Sequence, residues 1–219
     1  MKAKLLGLFS GFPNRSFPEE IAKRLRKVLD KREKLVFISA WPMDFEQNDR
    51  DSFGMHGMFE ACGLGFSSFC VIDERTEKAE ARELIREASC IFLMGGNATQ
   101  QFALIRKKEL AEDIRESSVV ILGVSAGSAN MAKRALDIWE SHEPYDGLGL
   151  ADITIKAHVS LESSELIETL LAISHKLPVC AMEDESAIFV ENGEVSFVGN
   201  IRYMRDGKSY PFTPSWLKN

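Results

Sequence analysis

The chain predicts a three-layer α/β fold: a mostly parallel, doubly wound sheet between two layers of helices, with an antiparallel hairpin towards its C-terminus. Three observations predict it. Short apolar runs alternate with segments of helical spacing through the first 135 residues, and an Asn-Gly pair separates two later apolar runs. A length of 219 residues, 45% hydrophobic and 27% charged, suits one continuous core.

The apolar runs are Leu5–Phe9, Leu35–Ser39, Phe69–Ile72, Cys90–Met94 and Val119–Leu122. Each is continuous rather than alternating, as a strand buried on both faces requires. Pro18–Leu29, Arg50–Cys62, Thr76–Ala88 and Thr99–Glu116 carry helical spacing between them. That alternation implies parallel pairing with helices on both sides. Beyond Ala135 the rhythm loosens into a Gly-rich turn from Asp146, an alternating segment Ile153–His158 and a helix Ser163–Ser174. Pro178–Met182, Ser186–Val190 and Val195–Val198 read as strands, the last two joined by a hairpin at Asn192-Gly193. No repeat or linker divides the chain, which reads as a single domain over residues 1–219.

Twenty-seven Lys plus Arg against thirty-three Asp plus Glu leave a net charge of -6, the wrong sign for holding a phosphate backbone. The basic run Lys23–Lys34 contains Asp30 and Glu33 on a helix and reads as a solvated face. No nucleic acid is expected as a partner. Cys62, Cys70, Cys90 and Cys180 form no CxxC pair and read as reduced thiols, so no metal or other cofactor is expected. No apolar run has the length of a membrane span and the opening residues make no signal peptide, so a cytoplasmic protein with no membrane partner is expected.

The chemistry concentrates in two Gly-rich turns. Val119–Leu122 runs into Gly123-Val124-Ser125-Ala126-Gly127 and then into small residues, the strand-turn-helix context of a nucleophile elbow. The alternative is a turn chosen for packing, or a phosphate cradle. Glycines flank Ser125 because side chains there would collide with the turn or the substrate. The second turn, Gly95-Gly96-Asn97 after Cys90–Met94, offers backbone N–H groups for an oxyanion. Alone it is an ordinary turn signal. Together, Gly-rich loops ending successive parallel strands mark the crevice where open α/β sheets bind ligands.

A serine hydroxyl needs a base. Four histidines are available: His56 in a helix, His142 in a polar loop, His175 at a helix end and His158 ending an alternating segment. Position favours His158, which a strand terminus presents to the active edge. An acid must then hold the imidazole. Glu183-Asp184-Glu185 lies between two apolar strands, at the edge of what reads as one sheet. An α/β-hydrolase order would instead require Asp137, Asp146 or Asp152, with His158 or His175 as base.

Gly95–Phe102 (GGNATQQF), Gly123–Met131 (GVSAGSANM), the residues around His158 (AHVS) and Met182–Ile188 (MEDESAI) resemble peptidase family S51, which includes dipeptidase E and cyanophycinase. The resemblance spans most of the chain. It implies a flavodoxin-like fold akin to class I glutamine amidotransferases and a Ser-His-Glu triad with the acid last. By it, Ser125 is the nucleophile, His158 the general base and Asp184 the acid, with Glu183 as the alternative. Gly96 and Ala126 would form the oxyanion hole, and Gly95 and Asn97 would contact substrate. A short peptide is the implied partner of a serine dipeptidase acting as monomer or homodimer. Dipeptidase E uses a basic residue beyond the histidine to recognise aspartate, and none lies between Val159 and Ser174. The expectation is therefore a pocket without a cation and no preference for Asp. The same elbow would also serve an esterase or acyl hydrolase, and a silent ligand-binding member of the fold is the non-enzymatic alternative.

Overall fold

A computed structural model describes residues 5–136 and 143–217. Its centre is a seven-stranded sheet. The apolar runs form β1 (Leu5–Phe9), β2 (Lys34–Ile38), β3 (Ser68–Ile72), β4 (Cys90–Leu93) and β5 (Val120–Val124), paired in parallel in the order β1-β5-β4-β2-β3. Helices α1 (Glu19–Val28) and α2 (Phe45–Ala61) cover one face. The fully buried Phe9, Phe37, Phe59, Phe92 and Phe189 fill that side. Each such ring contributes roughly 2 to 3 kcal/mol of hydrophobic stabilisation. On the other face lie α3 (Lys78–Glu87), α4 (Ala98–Lys107), α5 (Ala111–Glu116) and α6 (Ala126–Met131), packed through Ala81, Ile85, Leu104, Ile105, Ile114 and Met131.

Two helices depart from the periodicity. The segment Thr99–Glu116 is not one helix but α4 and α5, because Glu109 takes φ 56° and turns the chain so that Leu110 is fully buried. Helix α2 begins earlier than Arg50: Asp44 Oδ1 accepts from Gln47 N at 3.1 Å, a cap that starts the helix straight after Trp41-Pro42-Met43.

The second half supplies β6 (Arg134–Leu136) paired with β7 (Pro144–Asp146), then β8 (Ile155–Lys156), α7 (Ser164–Ile173) and β9 (Val179–Met182). The expected hairpin forms: β10 (Ala187–Glu191) pairs antiparallel with both β1 and β11 (Glu194–Val198), and Asn192 and Gly193 turn at φ 53° and 78°. A second hairpin, β12 (Ile201–Arg205) with β13 (Lys208–Pro211), was not read from the apolar runs although Asp206-Gly207 turns with the same signature, φ 53° and 72°.

Strands β13-β12-β9-β8 form a separate four-stranded sheet, so the acidic turn after β9 does not sit on a single sheet as expected. It bridges two. Ile155, Cys180, Met182 and Ile201 join the core of the main sheet, while Val179, Ala181 and Met204 pack against α7 through Leu170. Among the described residues no helix is long and apolar enough to cross a membrane.

Candidate active site

Ser125 follows β5 at the carboxyl edge of the main sheet and takes φ 51°, ψ -110° before α6 begins. A non-glycine residue holds such a conformation only when its surroundings enforce it. Here they do. Ser125 N donates to Phe9 O at 2.9 Å, and Ser128 Oγ lies 2.8 Å from Phe9 O and 2.6 Å from Gly123 O. A side chain on Gly123 would come within 2.7 Å of the Gly127 and Ser128 backbone, and one on Gly127 would strike the Leu93 carbonyl. The two flanking glycines thus let the turn fold against its own helix and against β4.

The neighbouring turn is held by residues the motif contains but the sequence left without a role. Gln101, fully buried, donates through Nε2 to Ile38 O at 2.9 Å and Met94 O at 3.0 Å. Asn130 Nδ2 donates to Ala98 O at 2.8 Å and Gln101 Oε1 at 3.0 Å, and Tyr145 donates to Asn130 Oδ1 at 2.7 Å. These amides lock α6 to α4 and fix Gly95-Gly96 beside Ser125. Gly96 has φ 137°, and a side chain there would strike Trp41 Nε1. Asn97 caps α4, its Oδ1 accepting from Gln100 N at 2.9 Å and Thr99 Oγ1 at 2.7 Å.

A cavity of about 810 Å³ opens here, bordered by Trp41, Gly96, Asn97, Ser125, Ala126, Lys156 and His158. Gly95 instead faces a smaller neighbouring cleft. His158 is delivered just beyond β8 at φ 55°. Its Nδ1 lies 2.6 Å from Asp184 Oδ1. With the proton on Nδ1 donated to that carboxylate, Nε2 is left as the acceptor. Ser125 and His158 border the same cavity without a direct hydrogen bond to each other.

Glu183 turns the other way. Its Oε1 accepts from Leu161 N at 3.3 Å and its Oε2 from Asn200 Nδ2 at 2.7 Å, which staples the start of the α7 loop to the turn before β12. The other candidates are occupied elsewhere. His56 is buried in α2 with Nε2 3.2 Å from Phe66 O and its ring stacked on Phe69. His175 sits where a side chain on Gly207 would meet it at 2.5 Å. Asp146 pairs with Arg134 at 2.6 Å, and Asp152 lies 3.9 Å from Lys133. Asp137 and His142 lie outside the described residues.

Three residues escaped the sequence reading. Ser10 Oγ accepts from His158 N at 2.8 Å and lies 3.1 Å from Met182 O, bridging the two sheets. Gly11 lies so close that a side chain would meet Asp184 Oδ1 at 2.5 Å and His158 Nδ1 at 2.8 Å. Its carbonyl accepts from Glu185 N at 2.8 Å. A glycine ending a buried strand was the signal used for the other two turns, and it applies equally to Gly11 after β1. The third is Lys156, which corrects the expectation of a cavity without a cation: it borders the cavity from before the histidine, not after it. Burial lowers its pKa, an effect the nearby Asp184 carboxylate partly offsets. Its Nζ donates to Ala157 O at 2.7 Å. Among the described residues no group of three or more His, Cys, Asp or Glu is arranged to hold a metal ion.

The family model described as peptidase family S51 matches residues 6–198. No curated protein matches the chain in sequence. Solved structures similar in fold include two peptidases. A peptidase from an acI-B1 actinobacterium, 18% identical, superposes with a TM-score of 0.73 over 96% of this chain and 98% of its own. A provisionally assigned peptidase E of Listeria monocytogenes EGD-e, also 18% identical, gives 0.67 over 90% and 98%. The mostly parallel sheet between helices is the flavodoxin-like arrangement of these proteins.

Proposed function

The chain belongs to peptidase family S51, which makes it a peptidase, and from that premise we propose that it is a serine peptidase of the dipeptidase E kind, hydrolysing short peptides through an acyl-enzyme. The observation that carries the reading is the His158 imidazole, 2.6 Å from Asp184 Oδ1 and bordering the same cavity as Ser125 on its strained turn.

In this reading His158 Nε2 takes the Ser125 proton as Oγ attacks the scissile carbonyl. The carbonyl oxygen gains negative charge opposite the N–H groups of Gly96 and Ala126. Collapse of the tetrahedral species expels the amine, which takes the proton from His158, and leaves an ester on Ser125. Water, deprotonated by His158, then cleaves the ester to give the free acid and restore the serine. Asp184 keeps the imidazole proton on Nδ1 and stabilises the imidazolium formed in each half-reaction. Lys156 makes the cavity tolerant of an acidic side chain on the acyl residue, since a carboxylate there would find a counter-charge.

A dipeptide library digested by wild type and by Ser125→Ala, with products identified by mass spectrometry, tests this. The variant should lose two or more powers of ten in rate, and a fluorophosphonate should label only the wild type. Undiminished peptide hydrolysis by Ser125→Ala would refute the mechanism. Turnover of p-nitrophenyl esters with no dipeptide cleaved would make the site an esterase.

A further inference from the structure

A second concavity adjoins the first across the sheet edge. It is a cleft of about 230 Å³ walled by Gly95 and Val124, the residues immediately preceding Gly96 and Ser125. Its size suits a single amino-acid residue rather than a whole peptide. Phe12, Met55 and Met58 give it an apolar floor, and Met side chains adapt to varied apolar shapes. Two cations, Arg15 and Arg50, and one acid, Asp51, border it.

The charges there are unbalanced. Arg24, Arg75, Arg82 and Arg134 are each paired with a carboxylate, whereas among the described residues neither Arg15 nor Arg50 lies within ion-pair distance of one. Asp51 is engaged instead by Gln47 Nε2 at 3.3 Å. Guanidinium groups match carboxylates in geometry as well as charge. Two of them above an apolar floor are complementary to an apolar residue that bears a free carboxylate.

The cleft is also coupled to the catalytic pair. Arg15 N donates to Phe12 O at 2.9 Å, and Asn14 Nδ2 donates to Glu185 Oε1 at 2.8 Å, beside Asp184. The Phe12 ring packs against Phe9 and Phe17 with centroids 5.3 and 5.0 Å apart. A single braced loop therefore runs from Gly11, against the imidazole, to Arg15 at the cleft.

We propose that this cleft holds the C-terminal residue of the substrate, with its free carboxylate on Arg15 and Arg50 and its apolar side chain on the Phe12, Met55 and Met58 floor. The inference rests on the peptidase reading of the larger cavity. It adds that Arg15 and Arg50 read the terminal carboxylate by charge and that the amino acid released is apolar.

Binding tests it independently of turnover. Calorimetry on Ser125→Ala with alanyl-leucine and with its C-terminal amide should show the acid bound about tenfold or more tightly. Adding Arg15→Gln and Arg50→Gln should bring the acid down to the level of the amide and leave the amide unchanged. Equal binding of acid and amide, binding of neither, or a preference that survives both arginine substitutions would overturn the subsite. The mechanism is judged separately: retained hydrolysis by Ser125→Ala removes the nucleophile but leaves a charge-dependent subsite standing.

Discussion

Ser125 and His158 are presented by two different kinds of structure. Ser125 rides on a βα turn whose shape is set within the motif and held against β1: Gly123 and Gly127 clear space on either side, the Ser128 hydroxyl ties the first turn of α6 back to the strand, and Phe9 O accepts from Ser125 N. His158 follows a strand of two residues, and Asp184 lies in the turn between strands of different sheets. What fixes that pair comes from far away in the chain: the Ser10 hydroxyl under the His158 backbone, Gly11 against the ring, and Asn14 on Glu185. The serine is thus positioned by a motif, whereas the imidazole and carboxylate are positioned by tertiary contact with one loop, Ser10–Asn14. Two positions with positive φ on one cavity, Ser125 and His158, carry strain for different reasons, one chiefly through its neighbours in sequence and one through its neighbours in space.

The sharpest way to break this comparison is at Gly11. Gly11→Val would push a branched side chain into His158 and Asp184, and kcat/KM on a cleaved dipeptide should fall about 100-fold or more, since displacement of a catalytic group by an ångström has that scale. Wild-type activity in that variant would mean that the loop does not hold the pair. A finer division comes from the neighbouring acids. Asp184→Asn should lower kcat by several powers of ten, as loss of the orienting carboxylate does elsewhere. Glu183→Gln should leave kcat within about threefold and instead cost about 1 kcal/mol in urea denaturation, the order of a weakened hydrogen-bond pair. The reverse pattern would transfer the acid role to Glu183.

The smallest effect lies in the body of the fold. Asp113 receives Arg82 Nε at 2.6 Å and Arg86 Nη2 at 3.2 Å, and these guanidinium groups hold its carboxyl below the usual carboxylate range. A carboxylate with a lowered folded pKa adds stability above its unfolded pKa and loses it as pH falls through the folded value. Asp113→Asn should therefore be less stable than wild type by up to about 1 kcal/mol at neutral pH, with the gap closing below about pH 4 and kcat unchanged. A change in kcat would show that the sheet body and the site are not separable.

The same contrast explains what the sequence could disclose. The five parallel strands were legible because each reads as an apolar run, the four inner ones buried on both faces and the edge strand β3 only partly buried. The elbow was legible because its geometric needs fall within five consecutive residues, Gly123–Gly127. His158 had to be chosen among four histidines by position, since nothing beside it in sequence announces the Ser10 hydroxyl that supports it. Asp184 and Glu183 are adjacent and chemically alike, and only the turn conformation sends one to the imidazole and the other to Leu161 N. Lys156 was overlooked because the search for a cation ran forward from the histidine, while β8 brings the preceding residues to the cavity wall. The second sheet was hidden because the alternating segment around β8 and the apolar run of β9 do not say which sheet they join, and β12 is interrupted by Arg202 and Arg205.

The hydroxyl of Ser10 has a consequence for how the molecule comes into being. It joins residue 10 to residue 158 and residue 182, and β10 must then lie down beside β1. A nascent polypeptide can therefore make the turn that carries Ser125 before the final fifth, which brings Asp184 to His158, has been synthesised. The order in which the parts of the site can meet is written into chain order.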